Sequence, residues 1–304
     1  MVWLHRLAVL VSAATAVLIL FGGLVTNTGA ALAVPDWPTT FGQNMFFYPW
    51  SQMTGGIFYE HSHRLIGSIV GFLTVLLAVL LWITESRGWL RRLGLLAVVF
   101  VIAQGLVGGL RVVLLAENLA ILHGVLAQAF FGLTLCLVLF TSKEWTEGAR
   151  KRGEAVPTAQ RRLALWTTCA LFLQIVFGAF LTHWGRLDAH LAWGLVLIIL
   201  VPLLGIQVMR RHPENPSLLD LAMGMEALFV IQLLLGTGSY AVRFTSLAFP
   251  LAPVTTILLP VAHRLTAALL FGLSLVITLK LYRLGASREG SPATLPIGMK
   301  RLPV

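Results

Sequence analysis

The sequence predicts an all-α integral membrane protein with eight transmembrane helices, arranged as two tandem pseudo-symmetric four-helix bundles. Three observations predict it. Of 304 residues, 58% are hydrophobic and only 11% charged, with a mean hydropathy of +0.87; soluble domains do not show this balance. Eight apolar runs, at roughly 7–26, 62–83, 93–111, 119–141, 162–182, 187–209, 218–241 and 256–281, are each long enough to cross a hydrocarbon core. Lipid offers backbone groups no partners, so these runs are expected to be helices. Finally, one helical-hairpin pattern recurs along the chain, which predicts the tandem arrangement.

The run 7–26 is followed by Ala31-Leu32-Ala33, which mimics a signal-peptidase site. Its length of about 20 residues exceeds a signal-peptide core, so it is expected to remain as the first helix. The segment 27–59 carries Pro35-Asp36-Trp37-Pro38 and Phe46-Phe47-Tyr48-Pro49-Trp50, prolines and aromatics suited to the membrane interface. Glu60, His61, His63 and Arg64 stand at the mouth of the second run. The third contains Gln104 and Gly108 and ends near Arg111; after Glu117 the fourth opens with His123. The basic stretch 143–160 is the natural linker between an N-terminal bundle, 1–142, and a C-terminal bundle, 161–284. The fifth run holds Gln174 and Gly178, and a short turn with His183, Arg186 and Asp188 leads to the sixth, opening with His190. The seventh carries Glu226, Gln232 and Gly236, followed by Arg243; the eighth opens with His263-Arg264. The Gly, Ser, Pro and basic residues of 285–304 predict a flexible tail. Cys136 and Cys169 lie inside apolar runs, form no CxxC pair and read as small buried thiols.

The net charge of +10 does not mark a nucleic-acid partner. Taking the loops alternately, one set holds Arg6, Arg87, Arg91, Arg92, Lys143, Arg150, Lys151, Arg152, Arg161, Arg162, Arg210, Arg211, Lys280, Arg283, Arg288, Lys300 and Arg301, which is 17 of the 22 basic residues. The other set holds only Arg64, Arg111, Arg186, Arg243 and Arg264. The positive-inside rule therefore predicts cytoplasmic N- and C-termini.

Within the repeat, three odd-numbered runs carry Gln-x-x-x-Gly, and each is followed by a run that opens with histidine. The first hairpin fits loosely, with Gly23 before its long loop and His63 after it. His63, His123, His190 and His263 each have a small residue four positions on: Gly67, Ala127, Gly194 and Ala267. That residue lies one turn along on the same helix face, where it leaves room for a flat macrocycle whose metal the imidazole binds; small residues also serve plain helix packing. Zinc fits less well, because no thiolate or carboxylate cluster completes a tetrahedral site. Two imidazoles facing across a bundle suit haem iron. Arg64, Arg111, Arg186, Arg243 and Arg264 are candidates for haem propionate contacts, or for snorkelling to lipid headgroups. Glu60 stands three before His63, where Pro260 stands three before His263. A carboxylate beside one site alone predicts a catalytic N-terminal bundle, with an electron-transfer or structural C-terminal one.

On Gly29, Pro35-Asp36-Trp37-Pro38, Gly42, Glu60-x-x-His63-Arg64, the His123 and His190 helices and His263-Arg264, the chain resembles the haem A synthase family across essentially the whole eight-helix core. The resemblance implies an oxidoreductase that converts haem O to haem A, oxidising a porphyrin methyl group to a formyl group for assembly of the respiratory terminal oxidase. It implies that His63 and His123 flank the substrate haem O with Glu60 catalytic, and that His190 and His263 ligate a haem b. It also implies the cell inner (plasma) membrane as location, with haem O synthase and an electron donor as partners; a homo-oligomer is left open. Where many members have a cysteine just before Pro-Asp-Trp-Pro and another two residues after it, this chain has Val34 and Thr40, which removes any thiol or disulfide role there. The turn between the fifth and sixth runs is short and leaves little chain to cover a second haem. The competing readings are a non-enzymatic dihaem b-type electron carrier, which has no need of Glu60, and a transporter, for which inverted repeats and broken helices at mid-membrane are expected. Glu226 hints at a proton path or a packed acid near the cytoplasmic side.

Overall fold

The computed structural model describes residues 2–147, 156–245 and 254–289. Among them no strand forms, and eight helices are long and apolar enough to cross a membrane. They are α1 (Val2–Asn27), α2 (Gly55–Thr84), α3 (Gly88–Leu114), α4 (Glu117–Thr141), α6 (Thr158–Trp184), α7 (Leu187–Arg211), α8 (Pro216–Phe244) and α9 (Thr255–Glu289). A short helix, α5 (Lys143–Glu147), follows α4 where the linker was expected to begin. Residues 148–155 of that linker and the tail beyond 289 lie outside the described residues, and the linker's last three residues, from Thr158, already belong to α6. α9 continues helically past 284, where the C-terminal bundle was expected to end.

The helices extend further than their apolar runs. α2 begins at Gly55, so Glu60 and His63 sit inside it rather than at its mouth. The segment before it contains short 3-10 turns at Met45–Phe47 and Trp50–Gln52. Local chemistry fixes the ends. Pro216 opens α8 after Asn215, whose side chain accepts the Leu218 N–H at 3.2 Å. Gly185 closes α6 at φ +68°, a left-handed conformation that glycine adopts without strain, and the chain turns at once into α7. At the turn between α2 and α3, Glu85 accepts the Arg87 N–H and both arms of its guanidinium, at 2.9 and 2.8 Å. The Arg87 side chain, outweighing burial, pushes the Glu85 pKa down to about 2.

Packing forms two rings of four. α1 and α3 each contact α2 and α4; α6 and α8 each contact α7 and α9. Each ring has its own apolar core, one around Leu4, Leu77, Leu81 and Leu137, the other around Leu204, Met225, Leu270 and Ile277. In the second, the Thr168 hydroxyl bonds Ser274 at 2.7 Å and Thr278 at 2.9 Å, satisfying three buried groups between α6 and α9. The rings meet where α1 and α4 touch α9 and α4 touches α6, with Ile19, Phe131 and Ala268 buried between them. Gly132 and Gly272 let α4 and α9 approach: a Cβ on the first would lie 3.0 Å from the Phe271 ring, and one on the second would overlap Leu135. Outward-facing side chains such as Phe72, Ile199 and Leu234 are exposed, as lipid contact requires.

Candidate functional site: two facing histidine pairs

His63 on α2 and His123 on α4 face each other across the first ring, with ring centroids 6.3 Å apart and planes at 77°. His190 on α7 and His263 on α9 do the same in the second, at 6.2 Å and 72°. In both rings the paired helices are diagonal neighbours, so the imidazoles meet on the bundle axis.

The odd partners of the repeat shape these pairs. A Cβ on Gly108 would lie 2.9 Å from His123, on Gly178 3.5 Å from His190, and on Gly236 2.9 Å from His263. The glycines are the floors on which the imidazoles rest. Gly22 plays this part for His63, at 3.1 Å; Gly23, the glycine expected in the first hairpin, faces Val261 of α9 instead. Four residues before each floor glycine stands Leu18, Gln104, Gln174 or Gln232, whose backbone carbonyl interacts with the corresponding histidine ring. His263 Nδ1 bonds the Gln232 carbonyl at 3.2 Å, whereas the Nδ1 atoms of His63 and His123 are buried and lie near theirs without a hydrogen bond of normal geometry to any described residue. The glutamine side chains tie the hairpins further. Gln104 donates to the His123 carbonyl at 3.2 Å and Gln174 to the His190 carbonyl at 3.1 Å. Gln232 reaches the His263 ring at 3.3 Å and accepts from Thr266.

The segment between α1 and α2 is riveted beside the first pair. Glu60 is buried; one carboxylate oxygen accepts Arg64 at 2.8 Å and the other the Val34 N–H at 3.0 Å. Arg64 also donates to the carbonyls of Val34 at 2.8 Å, Asp36 at 2.7 Å and Thr39 at 3.1 Å. Both terminal nitrogens of Arg64 are thus directed at the loop and Glu60. The Asp36 carboxylate accepts Phe41 and Gly42 N–H groups at 2.8 Å and the Thr39 hydroxyl. Val34 and Thr40 are both fully buried, and Thr40 bonds the buried His61 ring at 3.1 Å. Trp37 lies flat on α3 because Gly109 has no side chain there; a Cβ would run into the indole. The positions of Gly22, His61 and the Trp37–Gly109 contact were not distinguishable by sequence spacing, since each depends on how the irregular loop folds back.

The remaining arginines differ in their partners. The Arg111 side chain makes no hydrogen bond to another described residue, yet lies within electrostatic reach of Glu60, His63, His123 and His183. Arg264 donates to Thr26 at 3.3 Å, Arg243 donates to Asn27, and Arg186 pairs with exposed Asp188 at 2.8 Å. Glu226 packs against Gly205 with one carboxylate oxygen buried and without a hydrogen-bond partner among the described residues.

A metal–imidazole bond is about 2.0 Å long, so two imidazoles on opposite sides of one metal have centroids about 6 Å apart, which both pairs match. Among the described residues no third His, Cys, Asp or Glu joins either pair as a ligand cluster. Any metal held there must bring its remaining ligands with it, as a porphyrin-bound iron does. The residues therefore fit haem, and the fold and sites define a multi-pass membrane protein with two facing imidazole pairs, one of them near an ion-paired carboxylate.

Comparison with known proteins narrows that class. The model of the COX15-CtaA family, described as cytochrome oxidase assembly protein, matches residues 5–298, and the chain belongs to this family. It is similar to proteins named "Heme A synthase" from three bacteria. It is 29% identical over 184 residues to that of Shouchella clausii, covering 59% of each chain. It is 24% identical over 298 residues to that of Exiguobacterium sp., covering 90% of this chain and 91% of the relative. The Bacillus mycoides protein is 34% identical over 142 residues, 43% of each chain.

Proposed function

We propose that this chain is a haem A synthase, a membrane oxidoreductase that oxidises a methyl group of haem O to the formyl group of haem A. The carrying observation is the asymmetry of the two histidine pairs: a buried, ion-paired Glu60 stands one turn before His63, and Pro260 occupies the matching place before His263. Family membership and the names of its relatives support the same reading.

In this reading His63 and His123 hold haem O, and His190 and His263 hold a resident haem b. The iron centres supply one-electron and oxygen chemistry when bound. The protein's own part is positional and electrostatic. Glu60 is held at a constant orientation by Arg64 and by the Val34 N–H, one turn before His63; in this reading its charge stabilises positive character developing on the reacting carbon or accepts a departing proton. Burial strengthens that effect relative to water. Arg111, whose side chain makes no hydrogen bond to another described residue, is the best placed of the arginines to take a propionate of the first haem, and Arg264 and Arg243 serve the second. Arg64 is committed to the loop, and Arg186 to Asp188. Haem O synthase and an electron donor are the partners this activity requires, and the inner membrane is its place.

Glu60→Gln tests the assignment. It keeps the side chain's size and one acceptor while removing the charge. The purified variant should retain haem b, and extraction and chromatography of its haems should show haem O or a partly oxidised product with little haem A. Haem A formed at the normal rate would reduce Glu60 to a structural anchor.

A further inference from the structure

We propose that the groove between α4 and α8, at the end of the molecule away from the histidine pairs, binds a phospholipid whose headgroup carries a primary ammonium, phosphatidylethanolamine. The inference stands apart from the haem-binding reading and uses none of its residues.

α4 and α8 each pack on α9, which forms the floor between them. The groove has a volume of about 330 Å³, within the range of ligand pockets. Its lining is graded along the helix axes. Leu135 and Val138 on α4, Leu221 on α8 and Val276 on α9 line the inner part. Glu144 on α5, Ser217 and Asp220 in the first turns of α8, and Lys280 on α9 ring the mouth. The inner limit is the close approach of α4 and α9, where Leu135 packs over Gly272. Apolar side chains toward the membrane centre and polar ones at the helix ends repeat the order of a bilayer leaflet. An amphiphile standing parallel to the helices, with an acyl chain inward and its headgroup at the mouth, satisfies both halves of this lining.

The mouth selects the headgroup. Lys280 is buried, and its ammonium donates to Glu144 and, at 2.6 Å, to the Ser217 hydroxyl. That hydroxyl in turn reaches the other Glu144 oxygen at 3.3 Å. A lysine ammonium has three donors, so one is left for a lipid phosphate oxygen. Glu144 already balances the charge of Lys280. Arg283 is engaged nearby, stacked over the Trp145 ring at 4.4 Å and donating to the Glu144 carbonyl at 3.2 Å. Asp220 shares a helix face with Ser217 and makes no hydrogen bond or ion pair with another described residue. Its carboxylate leaves the mouth short of one positive charge. An anionic headgroup would be repelled there, and a quaternary choline offers no N–H. A primary ammonium supplies both the charge and the hydrogen bond.

Native mass spectrometry of the full chain, released from phosphatidylcholine vesicles doped with either phosphatidylethanolamine or phosphatidylglycerol, tests this. Wild type should retain phosphatidylethanolamine under conditions that strip the other two lipids. Asp220→Asn should weaken that retention about 10-fold, as expected for a lost charge-assisted hydrogen bond, and abolish the preference over phosphatidylglycerol. Leu221→Trp, which fills the groove, should lose the bound lipid altogether, while Phe72→Trp, on the exposed surface of the first ring, should bind as wild type does. Asp220 is exposed, so its variant keeps the test decisive if Leu221→Trp does not fold. Wild type that retains no phospholipid, or that prefers phosphatidylglycerol, overturns the proposal. So does phosphatidylethanolamine retained equally by wild type and Asp220→Asn.

Discussion

Single residues tie an irregular loop to a helix bundle here, and charge is what they use. Burial disfavours the ionised form of Asp36, but the Gly42 N–H, the Thr39 hydroxyl and the Phe41 N–H together outweigh it and hold its pKa below the ordinary 3.8. A depressed carboxylate stabilises the fold above its unfolded pKa and loses that contribution as pH falls through the folded value. Hydrogen exchange of the 34–43 segment should therefore be slow at neutral pH and accelerate below about pH 4, and Asp36→Asn should exchange quickly at neutral pH. Arg64 is the larger rivet. Its planar fork serves three carbonyls and Glu60, and a lysine ammonium cannot reach four acceptors in those directions. Arg64→Lys should cost the loop about 1.5–3 kcal/mol, read as faster exchange of the same segment and loss of haem A formation with haem b retained. Neither role was legible in the sequence. In the sequence Arg64 is a candidate for a haem propionate or a lipid headgroup; its loop targets are backbone carbonyls, which every residue has and no motif marks.

At the scale of elements the sequence was far more legible. Length and apolarity located all eight spans, and the histidine register located the four histidines at the same ends of alternate helices, because helical period and hydrocarbon thickness leave few alternatives; which histidine faces which came from the family resemblance and is seen in the packing. The first hairpin was the weak point. A long insertion separates its helices, so Gly22 and Gly23 are equally plausible by spacing, and only packing shows that Gly22 touches His63. The floor glycines also separate by tolerance. A Cβ at Gly178 meets His190 at 3.5 Å, an ordinary contact, whereas at Gly236 it meets His263 at 2.9 Å and must displace it. Gly178→Ala should keep the haem b spectrum. Gly236→Ala should perturb it and destabilise the protein by about 1–3 kcal/mol. His190→Ala and His263→Ala should each abolish that spectrum while expression persists; an intact spectrum in both would remove the second pair from haem binding.

At the scale of the whole molecule, the charges predict which way it sits in the membrane. Eight spans return the chain to the side on which it began. Seventeen of 22 basic residues fall on that side, which the positive-inside rule assigns to the cytoplasm. The five basic residues on the opposite side do not compete as a topological signal. Arg64 is bound to the loop and Glu60, Arg264 and Arg243 bond to Thr26 and Asn27 at the end of α1, Arg186 is neutralised by Asp188, and Arg111 lies by the first histidine pair and Glu60. That orientation predicts that the histidine pairs and the loop 28–54 lie toward the outer face, with Phe46, Phe47 and Trp50, all well exposed, expected to dip into the outer leaflet's headgroup layer. Reporter fusions check the orientation. Alkaline phosphatase, active only outside the cytoplasm, should be inactive when fused after Val304 or within the Glu85–Arg87 turn, and active when inserted after Gly185. Moving charge should matter only on the crowded side: replacing Arg87, Arg91 and Arg92 together by glutamine should lower the fraction of correctly oriented protein, whereas Arg186→Gln should leave it unchanged. Phosphatase activity at Val304 in the wild-type chain would invert the topology and place both histidine pairs at the cytoplasmic face.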